Sequence, residues 1–316
     1  MASRTTYTPM KAKTLLNPVK VPSMPFDWSI NPYRGRQHGC SFCYARSTHA
    51  FLGMETDDTF QHQIMYKENA KMALQKQLEA MKSRRRGKPV HQVAIGTATD
   101  PYQPIEAKAG LTRDCLEVLA EHQLPVSITT RSPLILRDIP PLKRFKQCSV
   151  NISLNTLDQV VWRRFEPSTP SPAKRLEAIK ELSAEGIDVT VFMAPILPML
   201  TDSASGMEAV VAGAAEAGAR RVMGSVLRLN TNAVKSWYFQ TLGTHYPHLT
   251  ASYAGMYAGG AYAPEEYRTQ VRERLHGLLK AYGLPVYDPY RPRTEAPQAP
   301  IVAPEEQPVQ LAFSFE

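Results

Sequence analysis

Two cysteines separated by two residues, Cys40-Ser-Phe-Cys43, offer more chemistry than any other pair in this 316-residue chain. A C-x2-C pair can be half of a zinc site, a redox dithiol or part of an iron–sulfur loop. A thioredoxin-like dithiol should open a helix in a small domain. Cys40 and Cys43 instead sit in a glycine- and aromatic-rich loop, Asn31-Pro-Tyr-Arg-Gly-Arg-Gln-His-Gly-Cys40-Ser-Phe-Cys43-Tyr-Ala-Arg46. Zinc needs two further ligands, and His38 and His49 are near in sequence but without a confirming spacing. An inert, packed pair stays open beside these readings.

Other residues present a chemical and a structural reading side by side. Asp100, in Thr97-Ala-Thr99-Asp100-Pro-Tyr102, is placed either to accept hydrogen bonds from a ligand amine or ribose, or to form an ordinary Asp-Pro turn. Glu106 suits a helix start on its own. Arg228 is either an anion contact or a structural salt bridge. Cys115 and Cys148 fall in apolar patterns and read as packed thiols. The aromatic runs Trp237-Tyr-Phe and Tyr253 to Tyr257 lack interleaved basic residues, so they read as helix packing and a lid. His245 and His248 have no partner in register. No GxGxxG or GxxxxGK[ST] loop is present, which argues against a nucleotide-hydrolysing engine.

Periodicity supplies the elements that must position these groups. Strands are predicted at 26–30, 90–96, 125–130, 148–154, 187–194 and 221–227, and helices at 59–81, 111–121, 172–184, 206–217, 231–242 and 264–282, with a shorter, proline-interrupted one within 133–145. Six strands separated by crossover-length helices suggest a parallel β/α sheet, because parallel neighbours require such connections, and loops at the carboxyl ends of parallel strands converge on ligands. The cysteine loop follows the first strand, Thr97–Asp100 the second, Thr130-Arg131-Ser132 the third, Asn155 the fourth, Pro195–Pro198 the fifth and Arg228-Leu-Asn230 the sixth.

Composition is that of an ordinary globular protein: 43% hydrophobic, 21% charged, with no apolar run long enough for a membrane span. Four cysteines are too few for a disulfide scaffold, and the N-terminus lacks a secretory signal pattern, so a cytoplasmic protein is expected. The net charge of +8 divides unevenly, because residues 284–316 carry five acids and two arginines, a net of −3, and leave +11 on the body. That body and the basic run Lys82–Lys88 suit weak polyanion contact, but no base-reading motif accompanies them, so specific nucleic-acid binding is not expected.

The cysteine loop resembles that of radical S-adenosylmethionine enzymes, in the branch containing spore photoproduct lyase and its uncharacterised bacterial relatives. That loop typically runs Asn-Pro-Tyr-x-Gly-Cys-x-His-x-Cys-x-Tyr-Cys-Tyr-Ala-Arg, and Asn31, Pro32, Tyr33, Gly35, His38, Cys40, Cys43, Tyr44, Ala45 and Arg46 match it. Phe42 departs mildly; Arg36 stands where the first cluster cysteine belongs. Similarity continues through Gly96–Pro104, Leu111–Cys115, Thr130–Asp138, Ser153–Asp158, Glu166-Pro167, Ala194–Pro198 and Val226–Leu229, so it covers roughly residues 25–230.

The resemblance implies a partial (β/α)6 TIM-like barrel over residues 26–230; outside it, periodicity and composition suggest an irregular N-terminal wrapping segment at 1–25, a C-terminal helical cap at 231–283 and a proline-rich flexible tail at 284–316. It also implies a [4Fe-4S] cluster and S-adenosylmethionine, a cellular electron donor, and hydrogen abstraction by a 5′-deoxyadenosyl radical from an unknown small-molecule or nucleotide-like substrate. Cys40 and Cys43 would be cluster ligands and Tyr44 the aromatic residue beside adenine. Thr97, Thr99 and Asp100 would lie near the methionine moiety, Ser153 and Asn155 near the ribose, with Arg228 a further cofactor contact. Arginine has no lone pair to offer iron, so the cluster is expected to be absent or labile unless His38 or an exogenous thiol substitutes. The runner-up is a noncatalytic module binding S-adenosylmethionine or another anionic small molecule; a DNA-lesion lyase is a further alternative.

Overall fold

The strands form because short apolar runs are buried on both faces, as parallel sheets covered by helices require. The computed structural model describes residues 5–21, 24–47, 59–83 and 90–286. Its strands, in chain order, are β1 (Thr6–Met10), β2 (Leu16–Pro18), β3 (Trp28–Ile30), β4 (Tyr33–Arg34), β5 (Gln63–Lys67), β6 (Val93–Ile95), β7 (Val126–Thr130), β8 (Cys148–Ser153), β9 (Asp188–Ile196) and β10 (Arg221–Val226). The large sheet has the order β10-β9-β8-β7-β6-β3-β2. Its six strands from β3 to β10 are parallel neighbours, and β2 adds antiparallel to β3. Strand order follows chain order and no ladder joins β10 to β2 among the described residues, so the sheet is an open, partial barrel. Its parallel register sets Ile95 beside Ile128 and Ile128 beside Val150, and all three are fully buried.

Helix starts obey local chemistry. Ser171 accepts from the Lys174 amide ahead of Pro172–Ala184, Ser203 from Gly206 ahead of Ala204–Glu216, and Thr231 from Val234 ahead of Asn232–His245. Helix Leu111–Glu121 buries Cys115, Leu116, Val118 and Leu119, as its pattern predicts. Cys148 is half-buried at the start of β8. The predicted crossover over 133–145 is a 3-10 helix, Pro133–Asp138, running into the short helix Ile139–Leu142. Two helices, Gln159–Phe165 and Thr250–Met256, are absent from the sequence expectation.

The continuous helix predicted over 59–81 does not form. Its first part is one helical turn, Thr59–His62, followed by β5, and the helix proper is Ala70–Ser83. The physical reason is tertiary pairing: β5 lies between β1, to which it is parallel, and β4, to which it is antiparallel. Asn69 then spends its side chain on Ala12, accepting from its N–H at 2.8 Å and donating to its carbonyl at 2.9 Å. The N-terminal segment, expected to lack regular structure, thus contributes β1 and β2. The Lys82–Lys88 run extends beyond the described residues after Ser83, His49 lies outside them, and so does the tail from residue 287.

Candidate functional site

The cysteine loop leaves β3, passes through β4 and returns over the carboxyl end of the sheet. Gly35 has φ +78°, and a Cβ there would fall 2.8 Å from the Gln63 carbonyl oxygen, so only glycine lets β4 approach β5 this closely. Asn31 fastens the loop's start to the end of β6, donating from Nδ2 to Thr97 Oγ1 at 3.0 Å and accepting from the Ala98 amide at 2.9 Å. Thr99 Oγ1 donates to the Gly35 carbonyl at 2.7 Å. Tyr44 closes the loop by donating its hydroxyl to the Thr97 carbonyl, while 52% of the residue stays exposed. Turns carry the two cysteines, with the Cys43 amide on the Cys40 carbonyl and the Arg46 amide on the Cys43 carbonyl, both at 3.2 Å.

Both sulfurs are buried and each faces an arginine. Arg131, just past the end of β7, places Nη1 3.0 Å from Cys40 Sγ; Arg36 places Nη1 3.7 Å from Cys43 Sγ. Arg131 and Arg36 are 6% and 8% exposed. Burial pushes the Cys40 thiol up to about 12, against the pull of the Arg131 charge.

Asp100 organises the neighbouring strand end. It accepts from Thr130 Oγ1 at 2.6 Å and from the amides of Arg131 and Tyr102 at 3.0 Å each. His38 Nδ1 lies 3.3 Å from its Oδ2, in ion-pair range but off the line of a hydrogen bond. Burial alone would raise the Asp100 carboxyl; the facing His38, the Arg36 charge and the Thr130 hydroxyl hold it well below the usual carboxylate range. A second buried acid, Glu166, pairs with Arg175, which also donates to the Ser153 carbonyl at 3.0 Å.

The predicted site residues therefore separate into groups. Arg131 joins the cysteines to Asp100, bonding Cys40 with its side chain and Asp100 with its backbone. Thr97 and Thr99 join the same loop from the end of β6. Ser153 and Asn155 are buried at and beyond the end of β8. Arg228 is exposed beyond β10, its guanidinium 4.9 Å from the Tyr262 ring centre. The side chains that sequence reasoning did not single out are Arg131, Glu166, Arg175 and Arg46. Arg46 is buried between aromatic rings, 4.0 Å from the Trp237 ring centre and 5.3 Å from that of Phe60. The predicted aromatic lid packs beside it: Tyr238 stacks on Phe165 and Tyr253 on Tyr257.

These donors do not fit a cluster held by three thiolates. Two cysteines and a permanently protonated guanidinium supply two soft anionic ligands at most, and among the described residues no group of three His, Cys, Asp or Glu side chains is placed to hold a metal ion. No helix of the described residues is long and apolar enough to cross a membrane.

Comparison with known proteins places this geometry in context. The model of the radical SAM superfamily matches residues 30–205. The chain is 35% identical over 305 residues to an uncharacterized protein of Mycobacterium tuberculosis, spanning 94% of this chain and 87% of that protein. It is 31% identical over 203 residues to an uncharacterized protein of Methanocaldococcus jannaschii, spanning 64% of this chain and 72% of that one. Among solved structures, spore photoproduct lyase complexed with dinucleoside spore photoproduct superposes with a TM-score of 0.67 at 16% identity, across 87% of this chain and 79% of the lyase. At that identity the likeness speaks for the fold, and the partial barrel with its C-terminal helical region agrees with the expectation from sequence.

Proposed function

The chain belongs to the radical SAM superfamily, and from that premise we propose a radical S-adenosylmethionine enzyme-like protein whose cluster chemistry is impaired or lost through Arg36. The ancestral reaction is hydrogen abstraction from a small-molecule or nucleotide-like substrate, supplied with electrons by a cellular donor. The observation that carries the reading is the buried Arg36 guanidinium, 3.7 Å from the Cys43 sulfur. It occupies the third-ligand position and cannot act as a ligand. His38 is a poor substitute, because it is buried against Asp100.

In this reading the chain's own residues retain a binding role. Tyr44 and Thr97 would face a ligand beside the cysteine loop and Asp100 would anchor the strand end beneath it; Thr99 holds that loop against Gly35, and Ser153 and Asn155 would contribute the neighbouring strand end. Arg228 gives an exposed cation at the last strand. Cys40 and Cys43 are the thiols available to a metal. When bound, the cluster and S-adenosylmethionine would supply the radical chemistry of the family.

Two alternatives share this barrel. A noncatalytic module would use the same mouth for S-adenosylmethionine or another anionic small molecule. The likeness to spore photoproduct lyase raises a DNA-lesion reaction, but a shared barrel does not fix a substrate. A cytoplasmic location agrees with the few, unpaired cysteines.

Anaerobic reconstitution of the chain with iron and sulfide, followed by metal analysis and electron paramagnetic resonance, tests the reading. Little stable cluster and no reductive cleavage of S-adenosylmethionine are expected. Near four irons per chain with cleavage would overturn it.

A further inference from the structure

The charges around the two cysteines do not balance in the way buried charges ordinarily do. Arg36 and Arg131 are both more than nine-tenths buried, and a guanidinium does not lose its proton in a protein. Burial and the Arg131 charge act against the Arg36 charge, while the Cys43 sulfur and Asp100 favour it. The nearby acids are already committed. Asp100 accepts from Thr130, Tyr102 and the Arg131 amide and faces His38, while Glu166 is paired with Arg175 and accepts from Thr169 Oγ1 at 3.3 Å. Each arginine gives one Nη1 to a sulfur, which is a weak acceptor. The Nε of each is buried without a hydrogen-bond partner.

Buried unpartnered donors on like charges are costly, and a bidentate oxyanion relieves both deficits at once. We propose that Arg36 and Arg131 form an oxyanion site beside the cysteine pair, taking a carboxylate, sulfate or phosphate group through their guanidinium N–H donors. A cation at position 36 thereby changes what the loop selects, from a metal that needs a third soft ligand to a ligand that presents a negatively charged oxygen. This rests on the reading that no three-thiolate cluster fills the loop.

The test uses the full chain, with iron measured on the same sample. Arginine Nε–H signals are followed by 15N–1H nuclear magnetic resonance during titration with sulfate, phosphate and acetate in parallel, against chloride at constant ionic strength. R36K and R131K assign the two signals. An iron-free chain should show saturable shifts of both signals with at least one oxyanion, and roughly tenfold weaker binding in each lysine variant, the loss of one charge-assisted hydrogen bond. The planar and tetrahedral anions distinguish a carboxylate ligand from a phosphate or sulfate one. If a lysine variant fails to fold, R36Q or R131Q assigns the signal in its place. An iron-free chain whose signals ignore all three oxyanions, or move equally with chloride, overturns this proposal alone. Near four irons per chain would remove the cluster-loss reading and this proposal with it.

Discussion

Arg36 and Cys43 meet in the interior, Nη1 to Sγ at 3.7 Å, with both side chains shielded from solvent. A cation held against a thiol is the reverse of what an iron site needs, because iron is attached by thiolates that neutralise it. The family scaffold is present around this pair: Asn31 and Tyr44 tie the loop to β6, and Arg131 ties it to β7.

Asp100 should be a strong determinant of stability. Three donors converge on its buried carboxylate, and an amide can accept from only part of that set. Asp100→Asn should cost on the order of 2–3 kcal/mol, read as a lowered urea midpoint with unchanged slope. A variant within a few tenths of a kcal/mol of the parent would contradict the convergence.

Glu166 predicts a pH dependence. Burial alone would raise its carboxyl, but the charges of Arg175 and Arg131 and the hydrogen bonds from Arg175 and Thr169 hold it below its ordinary 4.5. A carboxylate depressed in the folded state contributes stability that is present above the unfolded value and lost as pH falls toward the folded one. Glu166→Gln should therefore lose about 3–5 kcal/mol at pH 7, where it leaves Arg175 buried and unpaired. The gap to the parent should narrow as pH falls below about 4.5. A constant gap between pH 7 and pH 3 would dismiss the pairing as its source.

Arg46 links the loop to the C-terminal helices through the Trp237 ring, 4.0 Å from its guanidinium carbon. Trp237→Ala should remove about 0.5–2 kcal/mol of cation–π attraction in addition to lost packing. Amide hydrogen exchange at Cys43 and Arg46 should accelerate more than exchange in β8. Trp237→Phe should restore much of the protection, since it keeps an aromatic face.

The barrel was legible because its signals are local and repeated: short apolar strands, capped helices and crossover lengths recur from 90 to 227, and strand order then brings the loops to one edge. The break at 63–67 was not legible, since Ile64 fits a helical stripe with Leu74 and Leu78, while the pairing that makes β5 a strand comes from Thr6–Met10, more than fifty residues away. Within the site, Cys40 and Asp100 were readable from motif and position. Arg131 was visible only as a loop residue, because no spacing tells that its backbone meets Asp100 and its side chain Cys40. The Glu166–Arg175 pair hides for the same reason: a helix N-terminus and the residue that ends the preceding helix become partners only after β8 and its loop are in place.

Substitution of one residue tests the central claim most directly. Parent and Arg36→Cys chains are reconstituted side by side under anaerobic conditions, and iron, sulfide and the paramagnetic signal of the reduced samples are measured together. The account predicts little stable cluster in the parent and near four irons per chain in Arg36→Cys, with cleavage of S-adenosylmethionine in the variant alone. Equal iron and equal cleavage in the two chains would contradict it, because Arg36 would then not be what separates this loop from a working cluster site.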